Sequence, residues 1–331
     1  MTRRTIYGPV PSWRFGRSLG IDVIVAPKTC SFDCIYCQLG KTINKIAEPS
    51  PNLCIDENDV LRDLEDYLLQ IDLKSIDVIT FSGCGEPTLN LNLKAIAKAI
   101  RKELPDFPFV ILTNSSTLNI DSVRDALQEF DIVCVKLDAA SDELFRRINR
   151  PANDVPSING VLEGIKRFKE EFSGELMVQS MFLKTTYNFS NMNEEELSKL
   201  IEAVADIDPD VVQLCTPYRP ASENFVMQAS PGELIAICKK FRNYFARSRI
   251  WVFGLHDKRD VIVKWRDKSA LEQKALSLLR RRPCRIVDIS NALGINYSKA
   301  KFIADLLVEK GFAEMKFSNG EMFLRVKLPI C

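Results

Sequence analysis

The feature that most narrows what this chain can fold into is an alternation kept up along most of its length: short β-branched runs separated by amphipathic stretches. The pattern predicts strands at 20–26, 76–82, 108–114, 131–138, 175–184, 210–216 and 250–254, and helices at 57–70, 90–104, 121–129, 155–172, 193–206 and 230–246. Strands that alternate with helices fold as right-handed βαβ units around a parallel sheet. Six or seven such units, with no GxGxxG after the first strand, suit an open barrel better than a dinucleotide-binding sheet. The expected class is therefore α/β, a partial (β/α)6-type barrel, whose sites lie at the C-terminal ends of its strands. Residues two apart share a strand face, so Cys134, Lys136 and Asp138 lie together, opposite Val133, Val135 and Leu137. Helices cover the apolar face. The polar face, which also carries Thr80, Ser82, Gln179, Gln213 and Cys215, is expected to line a ligand cavity.

Beyond about residue 267 the pattern changes. Helices are expected at 269–281, 284–293 and 299–310, followed by Gly311 at a helix end and a β-hairpin turning at Asn319-Gly320. Three helices and a hairpin make a winged helix-turn-helix, so the chain divides into a barrel domain, 1–267, and an accessory domain, 268–331. The 331 residues carry a formal charge of +1, which offers no overall basic field for nucleic acid. Residues 1–50 and 268–331 are nevertheless net basic around an acidic middle. No run reaches the ~18 apolar residues of a membrane span, and the N-terminus lacks the apolar core of a secretory signal. A cytoplasmic location without membrane contact is expected. Ten cysteines in such a chain point to thiols that ligate or react, not to a disulfide scaffold.

Three of those cysteines, Cys30, Cys34 and Cys37, fall within eight residues in KTCSFDCIYCQLG, directly after the first strand. Three thiolates at that spacing can wrap one soft metal centre. Zinc in a structural site wants four ligands, and the fourth would be His256, far off in sequence, or Cys54. On a [4Fe–4S] cluster the same three leave one iron open to substrate or cofactor.

CxxxCxxC with an aromatic, Tyr36, before the third cysteine resembles the signature of the radical S-adenosylmethionine (radical SAM) superfamily. A second motif agrees: strand 76–82 runs into SGCGEPTL, similar to that superfamily's glycine-rich turn, with Gly83, Gly85, Glu86 and Pro87. The resemblance implies a [4Fe–4S] cluster on the three cysteines and S-adenosylmethionine (SAM) beside it. Glycines let backbone approach the ligand, and their carbonyls with Glu86 would accept the methionyl ammonium. It also implies SAM contacts from Asn114, Asp138 and Gln179 at strand ends, with Lys136 in the same cavity. Further segments, YGPVPSWRFGRSLGID, VKLDAAS, INRP and QLCTPYRPAS, resemble a group of radical SAM oxidoreductases likened to wyosine-synthesis enzymes, which modify tRNA. Where that group opens with paired arginines, this chain has Trp13-Arg14.

Cys134 and Cys215 are candidates to donate a hydrogen atom to a substrate radical, with the packing role of any buried cysteine as the alternative. Arg219, after the sixth strand, is a candidate for a substrate anion. The reading is a radical SAM enzyme fed by an electron donor such as ferredoxin or flavodoxin. Its substrate is a tRNA nucleoside or, alternatively, a protein or peptide undergoing activation or maturation. An iron–sulfur sensor regulating transcription through the winged helix is a third option, against which the intact SAM turn and acidic body count.

Overall fold

The computed structural model describes residues 5–327. The chain begins with a hairpin, β1 (Ile6–Ser12) and β2 (Gly16–Asp22). Two short paired strands, β3 (Thr29–Cys30) and β4 (Asn44–Lys45), lie in the cysteine loop. The main strands then alternate with helices: α1 (Glu57–Leu68), β5 (Val78–Ser82), α2 (Leu93–Glu103), β6 (Phe109–Thr113), α3 (Asp121–Leu127) and β7 (Ile132–Lys136). After α4 (Asp142–Ile148) and α5 (Ile158–Glu171) come β8 (Glu175–Met181), β9 (Leu183–Thr185), α6 (Glu194–Ile207) and β10 (Val211–Cys215). The series closes with β11 (Val226–Gln228), α7 (Pro231–Phe241) and β12 (Ile250–Val252).

Eight strands form one sheet in the order β1-β2-β5-β6-β7-β8-β10-β12. All neighbours from β2 onward are parallel, and only β1 is antiparallel. Spatial order follows chain order, which is the singly wound topology of a partial barrel left open between β1 and β12. The expected period of two sorts the side chains. Ile79, Phe81, Ile111, Val133, Val135, Val178 and Leu214 join the helices in the main apolar core. The other face is only partly the polar cavity expected. Phe15, Val78, Val110, Cys134, Met177 and Val211 pack together as an apolar plug across one end of the interior, and polar groups lie beyond it, toward the C-terminal strand ends.

Several boundaries differ from expectation, each for a local reason. The first parallel strand is Gly16–Asp22, not 20–26, because the turn at Gly16 pairs it with β1. Residues 6–12 carry Pro9 and Pro11, which an edge strand tolerates since its outer N–H groups need no partner. The run 175–184 breaks at Phe182, and β9 turns away to pair with β11. Helix α4, seven residues long, is an element the alternation did not predict.

At the C-terminal end lie α8 (Leu271–Arg281), α9 (Ile286–Leu293), α10 (Tyr297–Glu309), β13 (Ala313–Ser318) and β14 (Glu321–Val326). Asn319 and Gly320 both have positive φ, as a two-residue hairpin turn requires. This module has its own core, with Leu278, Leu279, Ile289, Ile303, Leu307 and Leu324, and Val10 of β1 belongs to it, with Tyr7 packed alongside. The module thereby covers the sheet's β1 edge, which would otherwise stand open. Arg281 reaches past Tyr7 to the buried Asp22 at 2.6 Å. At the hairpin, Asn319 Nδ2 donates to Pro217 O and Lys316 Nζ to Asn224 Oδ1. Among the described residues no helix is long and apolar enough to cross a membrane.

Candidate active site

The cysteine loop is pinned from three sides. Its backbone pairs with the end of α4 through Ile35 N to Ile148 O and Asp33 N to Asn149 O. Ser222, after β10, donates to Cys34 O and Ile35 O. Each cysteine sulfur receives one side-chain N–H: Asn114 Nδ2 at Cys30 (3.5 Å), Asn149 Nδ2 at Cys34 (3.5 Å) and Lys28 Nζ at Cys37 (3.2 Å). Burial pushes the Cys30 and Cys34 thiols up, Cys34 to about 12, so they become thiolates only as a metal displaces their protons. Among the described residues no three His, Cys, Asp or Glu side chains close on a single ion. Cys54 is exposed, and His256 lies flat on Trp251, ring centroids 4.1 Å apart, with Nε2 against Arg14 O. The donor set, three thiols each met by an N–H, fits an iron–sulfur core better than a zinc cage.

The turn after β5 is pressed against the same loop. Gly85 has φ +146°, and a Cβ there would stand 1.5 Å from Thr29 O, so only glycine fits. Thr29 N donates to Cys84 O, and Glu86 N donates to Thr29 O. Glu86 is 2% exposed. Its Oε1 accepts from Thr88 N, Thr88 Oγ1 and Thr113 Oγ1, and its Oε2 from Asn114 N. The carboxylate expected to hold the SAM ammonium thus also fixes the turn to the end of β6, with one lone pair of Oε2 still open. Pro87 begins the short helical turn that Glu86 caps.

Asp138 is a hub. Its carboxylate accepts from Tyr36 Oη, Asn149 Nδ2 (2.9 Å), Lys136 Nζ (2.7 Å) and Met181 N (2.8 Å). Lys136, expected to meet an anion, is therefore matched by Asp138 and sits 5.0 Å from the Tyr36 ring centroid. Asn149 Oδ1 is buried without a partner, an acceptor left open beside the cysteines. Gln179 Nε2 donates to Gln213 Oε1, which also faces Cys134 Sγ at 3.7 Å. Cys134 lies in the apolar plug. Cys215 ends β10, its thiol pushed up to about 12 by burial. A cavity of 660 Å³ opens at the opposite, N-terminal end of the strands, between Phe15, Glu175, Met177 and Trp251, away from these groups.

Arg219 stands at the barrel's open edge, over the Tyr218 ring at 4.4 Å and 3.3 Å from Gln38 Oε1 of the cysteine loop. Tyr218 stacks on Phe253, which meets Trp13 edge-on, and Arg14 lies over Trp13. Arg282, from the C-terminal module, is 9% exposed and donates to Pro11 O. Arg14 Nε, Arg219 Nε, Arg282 Nε and Arg282 Nη2 are buried with no partner. Burial, with Arg282 nearby, lowers Arg219 from the usual arginine range.

The sequence reading assigned no role to Lys28, Asn149 or Arg14, and it expected Arg282 on an exposed basic face of the C-terminal module, where the structure buries it. Lys28 and Asn149 lie inside quoted motifs, where a donor next to a ligand cysteine was the available signal. Arg282 reaches Pro11 O only through tertiary structure.

The Radical SAM superfamily signature matches residues 24–207, the span holding the cysteine loop, the Glu86 turn and Asp138. A UPF0026 protein of Methanocaldococcus jannaschii is 32% identical over 318 residues, covering 96% of this chain and 94% of that protein. A UPF0026 protein of Synechocystis sp. is 41% identical over 215 residues, 65% of this chain and 76% of its own. Among solved structures, the FeFe-hydrogenase maturase HydG from Carboxydothermus hydrogenoformans aligns with 88% of this chain and 77% of its own, at 12% identity and a TM-score of 0.47. The chain belongs to the Radical SAM superfamily, alongside the UPF0026 proteins, and its cofactors are a [4Fe–4S] cluster and S-adenosylmethionine.

Proposed function

We propose that this radical SAM enzyme modifies a nucleotide unit of an RNA, a tRNA nucleoside first among them, bound where the barrel's open edge meets the C-terminal module. The observation that carries the reading is the pair Arg219 and Arg282, near each other, with Arg14 at the far end of an aromatic run that starts beside Arg219. All three keep buried N–H groups with no acceptor, and Arg14 and Arg219 lie against the Trp13–Phe253–Tyr218 aromatic run. Guanidinium beside aromatic faces is the chemistry that RNA phosphates and unstacked bases meet. Phe302 and Phe317, each 66% exposed, stand on the same module as Lys299, Lys301 and Lys316. In this reading residues 268–331 are a winged-helix accessory domain that holds the substrate against a barrel of residues 1–267.

When bound, the cofactors supply one-electron cleavage of the SAM sulfonium to methionine and a 5′-deoxyadenosyl radical that abstracts a substrate hydrogen. The electron comes from a small carrier such as ferredoxin or flavodoxin. Cys30, Cys34 and Cys37 hold the cluster. Gly83, Gly85 and Glu86 would hold the methionyl ammonium, the glycines through their carbonyls and Glu86 through its carboxylate, and Pro87 would brace the turn. Tyr36 and Lys136, both bonded to Asp138, would wall the SAM site together with Asn114 and Gln179. Cys215 keeps its proton because it is buried, and a hydrogen-atom donor needs the S–H intact; Cys134, within the plug, is the more remote candidate. The test is mass spectrometry of tRNA nucleosides from a strain lacking the gene, complemented with wild type or Cys34→Ala. A nucleoside that is lost on deletion and restored only by wild type is expected. Unchanged nucleosides with an altered peptide would replace this reading with the protein-substrate one.

A further inference from the structure

We infer that Lys28 is the built-in counter-ion of the iron–sulfur cluster, a positioning residue that makes the cluster easier to reduce; the inference rests on the three-cysteine cluster proposed above. Lys28 is 2% exposed, among the largest fully buried side chains in the protein. Its ammonium makes two hydrogen bonds, to Gly40 O at 2.6 Å and to Cys37 Sγ at 3.2 Å. No carboxylate of the described residues pairs with it, whereas Lys136 beside the same site is matched by Asp138 at 2.7 Å. A buried ammonium without a counter-charge is strongly disfavoured. The negative charge that Lys28 faces must therefore come from the thiolates and whatever they hold.

That charge is redox-dependent. An oxidised four-iron core on three thiolates has one net negative charge, and reduction adds a second. A fixed cation at Cys37 stabilises the reduced form more than the oxidised one, because the attraction grows with the charge it faces. The other two sulfurs receive only neutral amides, Asn114 at Cys30 and Asn149 at Cys34. Cys37 is thus the charged corner of the site. Lys28 also has a structural side: its carbonyl accepts from Ile43 N and Asn44 N, and its ammonium holds Gly40, so a test must separate charge from loop shape.

The test is a redox titration of the anaerobically reconstituted full-length protein, with Lys28→Met and Lys28→Arg beside wild type. Iron and sulfide are counted first. If wild type takes up no cluster, the cluster reading itself fails and Lys28 is not at issue. With all three loaded, Lys28→Met is expected to shift the reduction equilibrium about tenfold or more toward the oxidised state, a midpoint lower by ~59 mV per tenfold. Lys28→Arg, which keeps the charge, should stay near wild type. A loaded Lys28→Met with an unchanged midpoint overturns the inference. If Lys28→Met does not load, wild type labelled with lysine carrying 15N at Nζ decides by pulsed electron paramagnetic resonance of the reduced cluster. A 15N coupling present in wild type and absent in Lys28→Arg supports the inference, and no coupling in loaded wild type overturns it.

Discussion

Around the cysteines, Glu86 and Asp138 each accept four hydrogen bonds from the protein, whereas along the open edge Arg14, Arg219 and Arg282 keep buried N–H groups that nothing accepts. The first region is cross-linked in advance, as suits cofactors that are always the same and must be held in one geometry. The second keeps donors unpaired, each of which costs stability until an acceptor arrives. On this contrast, changes at the cofactor end should lower stability and binding together, and changes at the open edge should separate them.

The largest effect is expected at the cysteines. Cys30→Ala, Cys34→Ala or Cys37→Ala should each abolish the cluster, read as lost iron, sulfide and visible absorbance after anaerobic reconstitution. Cys54→Ala, at an exposed thiol, should load normally; stoichiometric zinc without iron uptake in wild type would break the cofactor half of the comparison. Next comes Glu86→Ala. Hydrogen bonds to charged groups contribute about 1.5–3 kcal/mol, so SAM affinity should fall roughly tenfold to a hundredfold. The melting temperature should fall with it, because Thr88, Thr113 and Asn114 lose their acceptor. Wild-type SAM affinity in the variant would refute the role.

Arg282→Met probes the other region. It removes the bond to Pro11 O and a charge facing Asp288 but also two unpaired N–H groups, so stability should change by less than about 1 kcal/mol, while RNA binding weakens and its log–log salt slope shrinks by about one. A variant that is destabilised, with binding intact, would mean that Arg282 only packs. The smallest effect concerns Asp288, 5% exposed, in the same module. Burial alone would raise its carboxyl, but hydrogen bonds from Arg285, with Arg219 and Arg282 nearby, bring it down to about 2. A group depressed on folding stabilises above its unfolded value near 3.9 and loses that contribution as pH falls through its folded value. Thermal stability should therefore drop by on the order of 2 kcal/mol between about pH 4 and pH 2, and Asp288→Asn should flatten that dependence.

The two regions also differ in how far they could be read before folding. The cofactor end is encoded locally: Cys30, Cys34 and Cys37 lie within one loop, and Gly83 to Pro87 within one turn, so spacing exposes them. The alternation of strands and helices likewise gave the parallel sheet, since period two and period 3.6 are local signals. What sequence could not show is assembled from distant segments. Arg219 and Arg282 follow a strand and end a helix, and nothing in their spacing brings them near each other. Lys136 looked free for an anion until Asp138, two residues on, proved to be its partner. Val10 is a β1 residue in sequence and a core residue of the C-terminal module in space.

In the proposed function the two regions work as one site, cofactor end and RNA-facing edge together. The most direct test is 5′-deoxyadenosine formation by reconstituted, chemically reduced protein given SAM, with and without tRNA from a strain lacking the gene. Slow formation without RNA, faster formation with it, none from Cys34→Ala, and loss of only the RNA-dependent part in Arg282→Met are the predicted results. A fully loaded cluster that yields no 5′-deoxyadenosine, or yields it at a rate that tRNA and Arg282→Met leave unchanged, would contradict the claim.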